Sequence, residues 1–246
     1  MPPNDREDAS DVRFTTTCWS VIGKATELET PEARQALAEM CQTYWHPLYA
    51  YLRRRGHSPH HAEDLTQGFF ADLLARQSLK GVDRSRGKFR SFLLAALRHY
   101  VSNSRDRDRR IRRGGMIPHL SLDFQHAERS YLREPGHEET PERLFERQWA
   151  LLLLERALDR LESEVAGAKK APLFERLKHT LTGAGDAASH AQLGAELGMS
   201  EAAVKVAAHR LRKRFKELFQ EEIAQTLADP GDIQEEIKEL FLILSR

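Results

Sequence analysis

The 246-residue sequence lacks the marks of a membrane-spanning, secreted or disulfide-stabilised protein. Apolar runs such as residues 151–154 and 240–244 are far shorter than the roughly 20 residues of a membrane-spanning helix. The first residues, MPPNDREDASDVR, contain no apolar signal region, so we expect a cytoplasmic protein without membrane insertion. Cys18 and Cys41 form no CxxC pair, and they therefore indicate neither a zinc site nor a disulfide framework.

The sequence also shows almost no β-strand pattern, and its apolar residues recur at helical spacing instead. Three helices are predicted to start at Thr30-Pro31, Ser58-Pro59 and Thr140-Pro141, where a capping residue precedes a proline that fits the first helical turn. Pro47 lies inside the first of these helices and is expected to kink or divide it. We therefore predict an all-α protein.

A change of composition divides the chain into two helical domains. Residues 114–140 are rich in glycine and proline and have no sustained helical period, so they are predicted to be a linker with a short ordered piece at 120–131. The predicted parts are a first helical domain at 1–113, the linker at 114–140, a second domain containing a helix-turn-helix at 141–226, and a C-terminal helical extension at 227–246. The extension is expected to pack on the second domain or to offer a docking surface.

Positive charge is concentrated in two places, although the net charge is only +1. Residues 84–113 hold eleven Lys or Arg against two acids, and residues 205–216 hold six basic residues and no acid. Residues 217–246 are acidic, with eight acids against two bases. Two separate basic patches indicate two contacts with nucleic acid. The alternative is that both are ordinary solvated helix faces.

The first basic patch overlaps an amphipathic helix that is predicted to start at Phe89. Its apolar stripe consists of Phe89, Phe92, Leu93, Ala96, Leu97 and Tyr100. The opposite face carries serine and arginine, including Arg98 and Ser102. A helix that is anchored on one side and cationic on the other suits a polyanion.

The second basic patch lies in a predicted helix-turn-helix at residues 189–214. Gly198 supplies the left-handed turn residue, and Ser200 caps the second helix. The exposed start of that helix would reach base edges, whereas Arg214 and the basic residues before it are better placed for phosphates. An ordinary helical hairpin with a glycine turn is the alternative.

Three motifs in this order resemble bacterial RNA polymerase sigma factors of the extracytoplasmic-function group. They are HAEDLTQGFFADLL at 61–74, FRSFLLAALRHYVSNSRDRDRR at 89–110 and LGMSEAAVKVAAHRLRKRF at 197–215. Together with YWHPLYAYLRRRG at 44–56, the pattern is similar to a subgroup with a longer linker. The sequence departs from the family at Phe92, His99 and Asn103, where many members have Trp, Asn and Asp.

The resemblance implies that the first domain binds core RNA polymerase and the −10 element of promoter DNA, and that the second domain binds the −35 element. The implied polymerase contacts are Asp64, Leu65, Gln67 and Phe70. The implied −10 contacts are Arg90, Phe92, Arg98, His99, Ser102, Asn103 and Arg105. The implied −35 contacts are Ser200, Ala202, Ala203, Lys205, His209, Arg210, Arg212 and Lys213. Catalysis would belong to the polymerase, so no catalytic residue, metal or cofactor is expected, and an anti-sigma protein or another regulator is a compatible partner.

Three rival functions use the same residues differently. A metal hydrolase would have to use the cluster His57, His60, His61, Glu63 and Asp64. A stand-alone helix-turn-helix regulator would bind duplex operators without polymerase. A protein-interaction adaptor would keep the helices but leave both basic patches unexplained.

Overall fold

A computed structural model describes residues 17–27, 30–75, 87–111, 120–133, 139–166, 171–181 and 190–245. Within these ranges the chain is all-α, as predicted, with ten α-helices, one 3₁₀ turn at Pro230–Asp232 and a single isolated β-bridge. The helices are α1 (Cys18–Glu27), α2 (Pro31–Arg54), α3 (Pro59–Leu74), α4 (Phe89–Ile111), α5 (Phe124–Leu132), α6 (Pro141–Val165), α7 (Ala171–Leu181), α8 (His190–Leu197), α9 (Glu201–Ala224) and α10 (Ile233–Leu244). None of these helices is long and apolar enough to cross a membrane.

The chain forms two compact units. The first comprises Met1–Phe145 together with Gln225–Asp232, and the second comprises Glu146–Ala224 together with Ile233–Arg246. These compact units divide the chain at residues other than the predicted domain boundaries at 113, 140 and 226. The units describe packing and not function, so the functional domains remain predictions. The structure places residues 225–232 with the first unit, which the sequence did not suggest.

The core of the first unit is built on α2, α3 and α4. Phe89, Leu93 and Leu97 of the predicted stripe are fully buried, and the ring of Phe89 packs against Trp19 and Tyr44 at 5.7 and 5.5 Å. Thr30 and Ser58 cap α2 and α3 through their side-chain oxygens. Pro47 does not divide α2, which runs unbroken from Pro31 to Arg54, because tertiary packing on both sides of the proline holds the helix together.

A segment that follows α9 completes the start of α4. The backbone N–H of Phe89 donates to the carbonyl oxygen of Thr226 at 2.9 Å, and Lys88 forms the isolated antiparallel bridge with Leu227. The N–H of Cys18, at the start of α1, donates to the carbonyl oxygen of Gln225 at 2.8 Å. Residues 225–227 therefore supply acceptors to helix starts whose N–H groups have no partner within the helix. We call them the return segment.

The second unit packs α6, α7 and α10 around the pair α8–α9. Gly198, between α8 and α9, has a φ of +64°, which is the left-handed turn conformation predicted from the sequence. Ser200 accepts a hydrogen bond from the backbone of Ala203 at 3.2 Å and so caps α9. A Cβ at Gly194 would lie 2.6 Å from the carbonyl oxygen of Met199, so the turn requires glycine there. Helix α10 packs on α9 through Leu240 and the Phe219–Phe241 ring contact at 6.3 Å.

Candidate functional site

The predicted polymerase contacts lie on α3 and divide into exposed and buried side chains. Asp64 is exposed, and one of its carboxylate oxygens lies 3.8 Å from Nε2 of His60. Leu65 and Phe70 are buried, and the ring of Phe70 packs on Phe69 at 5.1 Å. Leu65 and Phe70 therefore hold α3 in the core, whereas Asp64 and Gln67 present polar groups at its surface.

Residues from the predicted linker lie against these helices. The side-chain amide of Gln67 donates a hydrogen bond to the carbonyl oxygen of Leu120 at 2.8 Å. Helix α5 packs along α2, and its Phe124 ring lies 4.8 Å from that of Trp45. The ordered piece expected at 120–131 is thus a helix that is docked on the first unit.

One glutamate fixes α5 to α2 by three hydrogen bonds. Arg53 donates to both carboxylate oxygens of Glu128, at 2.8 Å each, and the Tyr49 hydroxyl donates to the same carboxylate at 2.7 Å. The side chains of Arg53 and Glu128 are 14% and 21% exposed, so water still reaches the pair. The hydrogen bond from Arg53 is the main reason that the pKa of Glu128 lies below its ordinary value. The carboxylate is therefore ionised at neutral pH.

A second carboxylate reaches the exposed face of α4. Nε of Arg98 donates to the hydroxyl oxygen of Tyr51 at 3.0 Å, and its Nη2 donates to the carboxylate of Glu142. The Tyr51 bond raises the pKa of Arg98, and Glu142 adds to the rise. Burial acts to raise the pKa of Glu142, but bonds from its own backbone N–H and from Arg98 outweigh burial and lower it. Arg98 thus already holds an anion.

A cleft of about 240 Å³ lies beside Arg98. It is lined by Tyr51, Leu52, Arg55, His57, Arg98, Val101 and Ser102. Burial, followed by the charges of His61 and Arg55, lowers the pKa of His57, so His57 is neutral at pH 7. The positive charge of the cleft therefore comes from Arg55 and Arg98.

The other predicted −10 contacts differ in exposure. His99 and Ser102 are exposed and Asn103 is partly exposed, and the side-chain nitrogen of Asn103 lies 3.1 Å from a ring nitrogen of His99. The Ser102 hydroxyl donates back to the carbonyl oxygen of His99 at 2.9 Å, and its oxygen can still accept a hydrogen bond.

Two predicted −10 contacts face the interior of the first unit. Arg90 is only 5% exposed, and the Phe92 ring packs on Trp19 at 5.4 Å. Both therefore contribute to packing around α1 and the start of α4. The backbone of Arg105 belongs to α4, but its side chain is outside the described part of the structure.

The predicted −35 contacts lie on α9 and at its cap. Ala202, Ala203 and Lys205 are exposed, and Nζ of Lys205 lies 2.7 Å from the carboxylate of Glu201, one turn earlier. The basic side chains further along are also exposed, namely His209, Arg210, Arg212 and Lys213.

Arg214 differs from its basic neighbours because it takes part in the internal packing of the second unit. Its guanidinium makes two hydrogen bonds with Glu164 of α6, at 2.7 and 2.9 Å, and a third with Glu217 at 3.2 Å. The sequence predicts Arg214 as a phosphate contact, but these bonds engage its guanidinium within the protein.

The structure brings together residues that sequence reasoning missed. Arg53 and Glu128 are 75 positions apart, and Arg98 and Glu142 are 44 positions apart. In the sequence, Arg53 lies in the basic run YLRRRG, and Glu128 and Glu142 lie in or next to the predicted linker. Local charge was the only sign that these residues form ion pairs. Helical periodicity cannot predict such pairs, because it reports only neighbours within a few turns.

The histidine cluster considered for a metal site does not converge in the structure. The rings of His57 and His61 are 5.0 Å apart, while His60 points to Asp64 at an exposed position. Across the ranges that the structure describes, no group of three or more His, Cys, Asp or Glu side chains is placed to hold a metal ion. The metal-hydrolase alternative receives no support from this geometry.

Comparison with known proteins connects the first unit to transcription. Residues 40–111 match the family model for sigma-70 region 2, a stretch that runs from the middle of α2 to the end of α4. The match supports a sigma-70 family sigma factor with a role in transcription initiation. No curated protein and no solved structure gave a significant match to the chain.

Proposed function

We propose that this chain is a sigma factor of the extracytoplasmic-function group, with a longer linker, that directs core RNA polymerase to promoters and helps to open the −10 element. The region 2 match at residues 40–111 carries this proposal. The all-α fold and the basic faces of α4 and α9 agree with it. The protein would supply binding energy and no chemistry, so it is not proposed as an enzyme.

Core polymerase would contact the polar surface of α3. Asp64 and Gln67 are the polar members of the predicted set, the first exposed and the second half-buried, and they lie three residues apart and so on one side of the helix. Leu65 and Phe70 would act indirectly, because burial lets them fix the position of α3.

The exposed side of α4 would hold the −10 element as a single strand. Arg98, His99, Ser102 and Asn103 follow one another over little more than one turn, next to the cationic cleft. Cationic grooves attract the sugar-phosphate backbone, while polar side chains can bond to the edges of unstacked bases. Arg90 and Phe92 would support this surface from within, and Arg105 would add attraction for the backbone.

The exposed start of α9 would read the −35 element as a duplex. Ser200, Ala202, Ala203 and Lys205 occupy the cap and first turns, where a recognition helix approaches base edges. Alanine can contact a thymine methyl group, and lysine can donate to guanine. His209, Arg210, Arg212 and Lys213 would contact phosphates.

In vitro transcription with core polymerase, followed by mapping of transcript starts, tests the proposal. We expect start sites that appear only when both the chain and core polymerase are present. Asp64→Ala should weaken binding to core polymerase while leaving helical content intact, because Asp64 is exposed. Glu235→Ala on α10 is a matched control that removes an exposed carboxylate and should leave core binding unchanged.

The stand-alone regulator predicts a different outcome. It would bind specific duplex sites tightly without polymerase, and its binding would not respond to Asp64→Ala. A chain that shows such binding, and that yields no transcript start with core polymerase, would contradict the sigma factor proposal.

A further inference from the structure

Two surfaces of the first unit are assigned to partners, and residues that follow α4 bind polar groups on or beside both. These residues are Leu120, Glu128 and Glu142. The first surface is that of α3, which would meet core polymerase, and α2 lies next to it. The second is the exposed face of α4, which would meet the −10 strand. We call residues 120–133, which include α5, the strap.

On the first surface, the strap engages a side chain that polymerase would need. The Gln67 amide is one of the two polar groups proposed for polymerase contact, and it donates to the backbone of Leu120 at 2.8 Å. The strap is held there by the Glu128 carboxylate on Arg53 and Tyr49, and by the Phe124 ring on Trp45 at 4.8 Å. A partner that takes the Gln67 N–H held by Leu120 must therefore displace or rearrange the strap.

On the second surface, a carboxylate stands where a phosphate would bind. The Arg98 guanidinium binds the Glu142 carboxylate, and the two side chains are 47% and 43% exposed. A phosphate and a carboxylate compete for the same guanidinium donors. Because this pair is open to water, its net stabilisation is small and a DNA strand can replace Glu142 at little cost.

The two contacts differ in exposure, since the Arg98–Glu142 pair is nearly half exposed and easily exchanged, whereas the side chains of Arg53 and Glu128 are 14% and 21% exposed. Arg98 lies on the surface assigned to DNA, and Arg53 lies next to the surface assigned to polymerase. Their partners, Glu142 and Glu128, come from later parts of the chain. Leu132, at the end of the strap, is 69% exposed, which indicates that the far side of α5 is not packed into the first unit.

We propose that the strap and Glu142 hold the free chain in an autoinhibited form, and that core polymerase displaces the strap from α3 while the promoter strand displaces Glu142 from Arg98. This inference rests on the proposed function, because it assumes that polymerase and DNA bind these two surfaces. It adds that the chain carries its own competitor for each of them.

Hydrogen exchange on the unmodified full-length chain is the first test, with and without core polymerase. In the free chain, the amides of α5 are expected to be protected by its helical hydrogen bonds. In the complex, we expect those amides to exchange about tenfold faster or more, because a nine-residue helix is barely stable without its packing partner. Unchanged or increased protection of α5 in the complex would overturn the proposal.

Charge-removing variants test the two contacts separately. Glu128→Gln should tighten binding to core polymerase by about three- to tenfold, because it weakens the strap. Glu142→Gln should leave core binding unchanged and tighten capture of a fluorescent promoter fragment, chosen from the mapped start sites, by a similar factor. Glu146→Gln, which removes the same charge one turn further along α6, is the control and should change neither affinity.

The outcomes separate this proposal from the one on which it rests. If the unmodified chain does not bind core polymerase, the sigma factor proposal fails first. If it binds and α5 stays protected, or if Glu128→Gln weakens core binding, then α5 belongs to the binding surface and only the autoinhibition is wrong. If Glu128→Gln does not fold, the exchange experiment on the unmodified chain decides alone.

Discussion

The most buried arginine–glutamate cluster of the second unit differs in exposure from the two long-range pairs of the first unit. In the first unit, the pairs Arg53–Glu128 and Arg98–Glu142 join distant parts of the chain, and their side chains are between 14% and 47% exposed. In the second unit, Glu222 is fully buried and accepts bonds from Arg156 and Arg160 of α6, at 2.6 and 2.8 Å. Water or a phosphate can replace an exposed carboxylate as the partner of an arginine. Neither can reach a fully buried carboxylate, so that pair is not exchanged in the folded protein.

The largest expected effect comes from breaking the buried cluster. Glu222→Ala removes the buried carboxylate that Arg156 and Arg160, each about a third exposed, share as an acceptor, so we expect a loss of about 3 kcal/mol in the free energy of unfolding. Chemical denaturation followed by circular dichroism measures this loss. Glu235→Ala, at an exposed end of an ion pair on α10, should change stability by less than about 0.5 kcal/mol. Equal effects of the two variants would contradict the comparison.

Acid should destabilise the first unit through a histidine that lies near the strap. Burial, followed by the charge of His126 on α5, lowers the pKa of His46 to about 4, and its Nε2 is buried without a hydrogen-bond partner. The unfolded chain therefore binds this proton first, and stability falls as the pH drops from about 6.5 to about 4. Between pH 7 and pH 4.5 we expect a loss of about 2 kcal/mol from this residue.

The control for this effect is a variant that cannot titrate. His46→Gln should remove the His46 share of the pH dependence, while the carboxylates contribute equally in both proteins. Unfolding free energies at pH 7.0, 5.5 and 4.5 give the comparison. Identical pH profiles for the two proteins would show that burial does not lower the pKa of His46.

Breaking the pair between the strap and α2 should cost much less than breaking the buried cluster. Glu128→Gln keeps the size of the side chain and can still accept one hydrogen bond from Arg53, so we expect a loss of about 1 kcal/mol. Denaturation under the same conditions as for Glu222→Ala measures the contrast directly. A loss as large as that of Glu222→Ala would make the strap a structural part of the first unit.

The smallest effect on stability is expected at the start of α9. Lys205 and Glu201 form an exposed pair one turn apart, so Lys205→Ala should change the free energy of unfolding by less than about 0.5 kcal/mol. The same variant should reduce transcription most at promoters that depend on a −35 element. A stability loss without any change in promoter preference would remove Lys205 from the proposed reading surface.

Local parts of the fold were predictable from the sequence. Helices α2, α3 and α6 begin at Pro31, Pro59 and Pro141, where capping residue and proline stand together, and Gly198 has the positive φ that the turn demands. These features depend only on residues within one or two helical turns, so the local sequence is enough to predict them.

Burial and long-range pairing were not predictable in the same way. Arg90 follows a buried phenylalanine at the start of α4 and was assigned to DNA, but the structure buries it, because tertiary packing decides which flank of a stripe is covered. Glu128 and Glu142 looked like ordinary linker acids, and only the docking of α5 and the start of α6 reveals their partners. The predicted contacts on α3, α4 and α9 remain predictions until partners are tested.

The return segment has a consequence for the order in which the protein can be completed. Phe89 and Thr226 are separated by more than half of the 246-residue chain, yet the N–H at the start of α4 bonds to the carbonyl of Thr226. During synthesis, α1 to α4 leave the ribosome long before residues 225–227 exist, so the N–H groups of Cys18 and Phe89 do not have these acceptors until α5 to α9 have also been made. A nascent first unit that ends before α9 therefore lacks two hydrogen bonds at helix starts that the longer chain supplies.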